Sequence, residues 1–145
     1  MAINFSNIEK EIQKLDIDDD VIITGNTSLA IYGINNKYIQ KPYDIINNEN
    51  IFNDKYNNLP FTDRIYEDDI FEIDNKKITS PGKAIIDVLL QSNEGNMYEL
   101  LEYIQDTPYE VTVRSYIQKY NLTNIIKNII KNYNLEEFSG VLLEE

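Results

Sequence analysis

The chain of 145 residues has no cysteine and no histidine. The first absence excludes disulfides and thiolate metal sites, and the second removes imidazole ligands and imidazole acid–base catalysis. Tryptophan is missing too, so aromatic packing falls to 11 Tyr and 5 Phe. Only 5 Gly and 4 Pro punctuate the chain, which makes each one informative about where the backbone turns. No apolar run approaches the ~20 residues of a membrane span. The first residues lack the basic-then-apolar pattern of a signal peptide. A cytoplasmic protein without a membrane partner is expected, with chemistry left to carboxylates, Lys, Tyr, Ser and Thr.

What the chain has in excess is acid. Twenty-five Asp and Glu face 13 Lys and Arg, for a net charge of −12. Such a surface repels phosphate backbones and favours basic partners, so free nucleic acid is not an expected ligand. The acids cluster at Asp16, Asp18, Asp19 and Asp20, and again at Glu67, Asp68, Asp69, Glu72 and Asp74. These runs read as solvated faces, as a docking surface for a basic protein, or as a mimic of nucleic acid. Glu67, Asp68 and Asp69 form the tightest group and are the first choice for partner contact.

The length suits one domain with a real core. Ser6 to Glu9 has capping-box spacing, and Ile8, Ile12 and Leu15 then mark an amphipathic helix. Val21 to Ile23 read as a short buried strand. Thr24-Gly25-Asn26 make a turn into a helix over Thr27 to Tyr32, closed by Gly33. Tyr43 to Ile46 form the next strand, and the Asn-rich run to Pro60 reads as irregular. Arg64 to Ile73 read as a strand, Asp74-Asn75 as a turn, and Lys76 to Thr79 as the returning strand. Ser80-Pro81 opens a thickly apolar helix with a cap followed by Pro. Its residues Ile85, Val88 and Leu89 are placed to bury one face, with Lys83 and Gln91 left wet. Thr107-Pro108 repeats that start signal, and helices follow at about Asn96 to Ile104, Tyr109 to Lys119 and Thr123 to Tyr133. The expected fold is therefore α+β, a small mixed sheet with a helical C-terminal part. Within a single domain spanning 1–145, the sheet-containing part covers about 1–106 and the helical lobe about 107–145.

A few residues stand out for chemistry. Gly25, Asn26, Thr27 and Ser28 precede a helix, where backbone N–H groups can meet a phosphate; a strand-to-helix turn needs the same Gly. Asp44 on its strand is a candidate metal ligand or a simple turn partner, and Glu72 lies on a later strand. Lys76, Lys77 and Lys83 are the densest basic group, either solvated or touching phosphate. Ile125, Ile126, Ile129, Ile130 and Tyr133 give one helix a wide apolar stripe, for the core or for a partner.

The run Ile22 to Gly33, followed by Lys41-Pro42-Tyr43-Asp44-Ile45-Ile46, resembles the strand, turn, helix and strand by which nucleotidyltransferases hold a triphosphate and two metal ions. In those enzymes two carboxylates two residues apart share a strand face and the Mg²⁺ ions. Here the second position is Ile46. The segments Ile23 to Gly33, Lys77 to Leu89 and the tail with Tyr120-Asn121 and Asn132-Tyr133-Asn134 also resemble the AbiEi-type antitoxins of abortive-infection toxin–antitoxin systems. That resemblance implies a toxin or defence enzyme as protein partner. Only one helix precedes the match, where that family usually carries a DNA-binding winged helix, so promoter binding is not expected. Taken with Ile46, the expectation leans away from an enzyme. It is a non-enzymatic antitoxin-like or regulatory protein of a bacterial or phage conflict system, with no catalytic residue, no metal and no cofactor. Two alternatives stand beside it. One is a small nucleotidyltransferase using Asp44, Glu72 and Mg²⁺; the other is an acidic inhibitor that fills the nucleic-acid groove of a defence enzyme.

Overall fold

The computed structural model describes residues 5–18, 21–34, 41–46, 54–59, 67–73, 75–91 and 94–143. Helix α1 (Phe5–Gln13) leads into β1 (Ile22–Ile23), α2 (Gly25–Tyr32), β2 (Tyr43–Ile46) and β3 (Tyr56–Leu59). A 3-10 turn (Glu67–Asp69) precedes the hairpin of β4 (Ile70–Ile73) and β5 (Lys76–Thr79). Four longer helices follow, α3 (Pro81–Leu90), α4 (Glu94–Ile104), α5 (Pro108–Lys119) and α6 (Thr123–Asn132). A second 3-10 turn (Glu136–Phe138) and the short α7 (Ser139–Leu142) complete the described chain. The protein is α+β, as its sequence pattern implies.

The five strands form one mixed sheet in the order β3-β2-β1-β5-β4. β1 runs antiparallel to β2, with Ile23 opposite Ile45, and parallel to β5, with Ile23 opposite Ile78. β2 and β3 are parallel, and β4 and β5 antiparallel. Alternation along the strands then sorts the side chains by face. Ile23, Tyr43, Ile45, Tyr56 and Ile78 join Ile8 and Ile12 of α1 in one buried cluster. The opposite face carries Asp44 and Thr79.

A second cluster holds the helices together. Ile85, Val88 and Leu89 of α3, Leu101 and Ile104 of α4, Val113 and Ile117 of α5, and Ile126 and Ile130 of α6 belong to it. So do Leu29 of α2 and Ile34, which places residues of the sheet-containing part inside the core of the helical part. α3 is the joint between them, buried along nearly its whole length. Gly82 makes this joint close, because a Cβ there would stand 2.8 Å from Thr112 Cγ2 and press into the Tyr116 ring of α5.

Several expectations need correction. Tyr56 to Leu59 are a strand although the surrounding run is rich in Asn. Pairing with β2 and burial of Tyr56 and Leu59 outweigh the poor strand propensity of Asn57 and Asn58. The strand expected over Arg64 to Ile73 begins only at Ile70, because Glu67–Asp69 coil into a 3-10 turn; residues 64–66 lie outside the described set. Lys83 is not wet but completely buried. The apolar face of α3 wraps the whole helix, and an ion pair with Asp87 accompanies the ammonium into the interior.

Candidate functional site

Gly25 opens α2 with φ 56°, a left-handed conformation that glycine adopts without steric cost. Space demands glycine as well, since a Cβ would lie 2.8 Å from Asp44 Oδ2 and 3.1 Å from Leu59 Cδ1. The turn is this tight because Asp44 occupies it. The Asn26 N–H donates to Asp44 Oδ2 at 2.9 Å, and Gln91 Nε2 donates to the same oxygen at 3.3 Å. Asn57 Nδ2 donates to Oδ1 at 2.9 Å. Asp44 returns its own N–H to Thr27 Oγ1 at 2.8 Å, and its carbonyl accepts the Thr24 N–H at 2.9 Å. The positive end of α2, where an anion would be received, is thus met by the chain's own carboxylate. Burial pushes the Asp44 carboxyl above its usual range, and the hydrogen bonds from Asn57, Asn26 and Gln91 pull it only part of the way back.

Ser28, the last of the four expected phosphate contacts, points inward. Its Oγ lies 3.4 Å from Thr79 Oγ1, which donates to Thr24 Oγ1 at 3.0 Å. Thr24 Oγ1 donates in turn to Asp87 Oδ2 at 2.5 Å, and Asp87 Oδ1 accepts from Lys83 Nζ. Tyr32 closes the relay by donating to the Thr79 carbonyl at 2.6 Å. Lys83 and Asp87 stand one turn apart on α3 and are 0% and 1% exposed. Burial lowers the Lys83 pKa and raises that of Asp87, and the attraction between them offsets only part of either change. This relay pins α3 to β1 and β5.

The other expected carboxylates scatter. Glu72 is exposed on β4, opposite Lys77 of β5. Two strands separate β4 from β2, so strand spacing alone puts Glu72 roughly 14 Å from Asp44. Lys76 Nζ donates to the Ile17 carbonyl at 2.5 Å, so it ties α1's following loop to the hairpin. Asp68 is exposed, but Asp69 is 1% exposed and committed to α5. It accepts from Lys119 Nζ at 2.8 Å, from Tyr116 OH at 2.8 Å and from the Tyr120 hydroxyl. Burial alone would raise the Asp69 pKa, but those three hydrogen bonds together hold it below the usual carboxylate range. The group expected to face a partner therefore loses Asp69 to the interior, because the Tyr116–Tyr120 pair and Lys119 offer it better partners than water. The Glu67 side chain lies outside the described set.

On α6, Ile126, Ile129 and Ile130 face the core, while Ile125 is 48% exposed. It borders an apolar groove with Leu90, Leu122 and Tyr133. Among the described residues no three acidic side chains converge as a metal site requires, and no helix is long and apolar enough to cross a membrane. The sequence reading missed Asp87, Tyr116 and Tyr120. Asp87 left a signal, a Lys and an Asp four apart in an otherwise apolar helix, since such a pair on a buried face must find its partner within the helix. The two tyrosines left none. Compared with known proteins, the chain matches no family model, no curated protein and no solved structure.

Proposed function

We propose that this is a non-enzymatic, antitoxin-like regulatory protein that acts by contact with another protein. The observation that carries the reading is the state of Asp44. Both of its oxygens already accept hydrogen bonds, from Asn26 and Gln91 on one side and Asn57 on the other. A shared Mg²⁺ needs open carboxylate lone pairs and a second bridging carboxylate. At this mouth the second position is Ile46, and Glu72 is across the sheet. The helix end that would cradle a triphosphate is filled from within. A nucleotide would first have to expel Asp44 from a pocket too tight for a methyl group. With catalysis disfavoured, the acidic surface and its exposed Asp68 remain suited to a basic protein.

The test has two arms. Incubation with Mg²⁺ or Mn²⁺, labelled nucleoside triphosphates and RNA or protein acceptors is expected to give no incorporation. Incorporation that vanishes in Asp44→Asn, with the fold checked by circular dichroism, supports a nucleotidyltransferase instead. In the second arm, each gene flanking this one in its native genome is expressed alone and together with it. Growth arrest by a neighbour, relieved by this chain through a complex that copurifies, is the expected result. Relief without a complex would contradict action by contact.

A further inference from the structure

We propose that the concavity between α5, α6 and α7 binds a carboxylate carried on an aliphatic group, a site independent of the partner-binding reading above. The charges of this acidic chain are unevenly placed. From Pro108 to Leu135 the charged residues are Glu110, Arg114, Lys119, Lys127 and Lys131, one acid against four bases. Two of those cations are engaged internally. Lys119 is held by Asp68 and Asp69. Arg114 Nη1 donates to Glu110 Oε1 at 3.0 Å and to the Gly140 carbonyl at 3.1 Å, which anchors the guanidinium between α5 and α7. Lys127 is exposed and makes no ion pair or hydrogen bond with any described residue.

Lys127 borders a concavity of about 280 Å³, near the lower end of the range for small-molecule sites. Arg114, Gln118 and Thr123 line it as well. Its floor is aliphatic, formed by Ile117 and Leu142, each 1% exposed, with Leu143 at the rim. The two halves together define the ligand. Lys127 and Arg114 disfavour a cation. A carboxylate matches the donors that Lys127, Gln118 and Thr123 carry, an ammonium, an amide and a hydroxyl. Among the described residues, a phosphate dianion would meet only one cation without an internal partner, with Glu110 close by. A wholly polar anion would leave the aliphatic floor uncovered, whereas a short branched hydrocarbon fills it. The same chemistry is offered by a free aliphatic acid and by the C-terminal leucine of a peptide.

The experiment is an amide-resolved NMR titration of the whole protein. The probes are 4-methylpentanoate, acetyl-glycyl-leucine with its free carboxylate, and the primary amide of each. Saturable shifts at Gln118, Thr123 and Lys127 are expected with the acids, and roughly tenfold or weaker binding with the amides, since a charge-assisted contact is lost. Lys127→Glu is expected to weaken the acids to a similar degree while the rest of the spectrum stays folded. Tighter binding of the peptide than of the free acid identifies a chain terminus as the ligand; equal or tighter binding of the free acid identifies a small metabolite-like acid. Absence of saturable shifts up to about 10 mM, the limit of meaningful weak affinity, overturns the site. So do shifts that the amides reproduce, or that Lys127→Glu leaves unchanged.

Discussion

Asp44 and Asp69 are the same residue type, both buried, and they respond to burial in opposite ways. Asp44 accepts only from neutral donors, two side-chain amides and a backbone N–H, and its carboxyl is shifted upward. Asp69 accepts from an ammonium and two phenols, and its carboxyl is shifted downward. Burial pushes both up; what differs is the charge and number of the strong donors. Asp44, read from the sequence as a candidate metal ligand or a turn partner, meets the first turn of α2 and is held at some electrostatic cost. Asp69, read as a partner contact or a solvated face, is the tie that docks α5 onto the hairpin. Asp87 stands between them, as fully buried as Asp69 but paired with a cation that is itself completely buried.

The ion pair buried on both sides gives the largest expected effect. Lys83→Met leaves Asp87 buried without its cation and is expected to cost about 3–5 kcal/mol in urea unfolding. The double variant Lys83→Met/Asp87→Leu is expected to recover most of that loss. A single-variant loss below about 1 kcal/mol would mean that Asp87 is satisfied by Thr24 and by protonation alone.

Gly25→Ala comes next, at about 2 kcal/mol, because Ala resists the left-handed backbone and its methyl meets Asp44. Repeating it in an Asp44→Ala background separates the two causes. If the cost is unchanged there, the backbone conformation and the contact with Leu59 suffice to demand glycine, and the contact with the Asp44 carboxylate is incidental.

Asp69→Asn is expected to cost about 2 kcal/mol through lost charge-assisted hydrogen bonds, reduced somewhat because Lys119 is partly exposed and can return to water. Asp44→Asn should cost less than about 1 kcal/mol, since removing a charge that burial disfavours offsets the lost acceptor. Equal losses in the two variants would break the comparison.

Acid titration of stability sharpens it with the smallest signals. Asp69, with its pKa lowered by folding, contributes stability that is present above the unfolded carboxylate pKa of about 3.9 and is lost as pH falls through the folded value. Asp44, with its pKa raised, contributes stability that is present below about 3.9 and is lost as pH rises through its folded value. Melting temperatures between about pH 3 and pH 7 are the measurement. Asp69→Asn should remove part of the acid-side loss, and Asp44→Asn should remove a term of opposite slope. Matching slopes in the two variants would show that both carboxylates titrate alike.

Much of the fold was legible locally. The periodicity of Ile8 and Ile12, the Ser80-Pro81 and Thr107-Pro108 helix starts, and the turn before Lys76 all act over a few residues. The structure has them where expected, with Ser80 accepting the Lys83 N–H and Thr107 that of Tyr109. α2 starts earlier than the pattern indicated, at Gly25, because its first turn is secured by Asp44 from another strand. β3 was hidden because Asn57 and Asn58 earn their place only by pairing with β2.

By itself, the sequence determined the α+β class, the absence of thiol and imidazole chemistry and the acidic balance. These depend on composition and on contacts within one or two turns. Tertiary structure alone decided which carboxylates are spent and on what. Asp44 meets Asn57 and Gln91, Asp69 meets Tyr116 and Lys119, and Thr24 meets Asp87, across separations of 13 to 63 residues. A buried charge takes its partners from whatever the packed elements bring within reach. No local pattern encodes that choice.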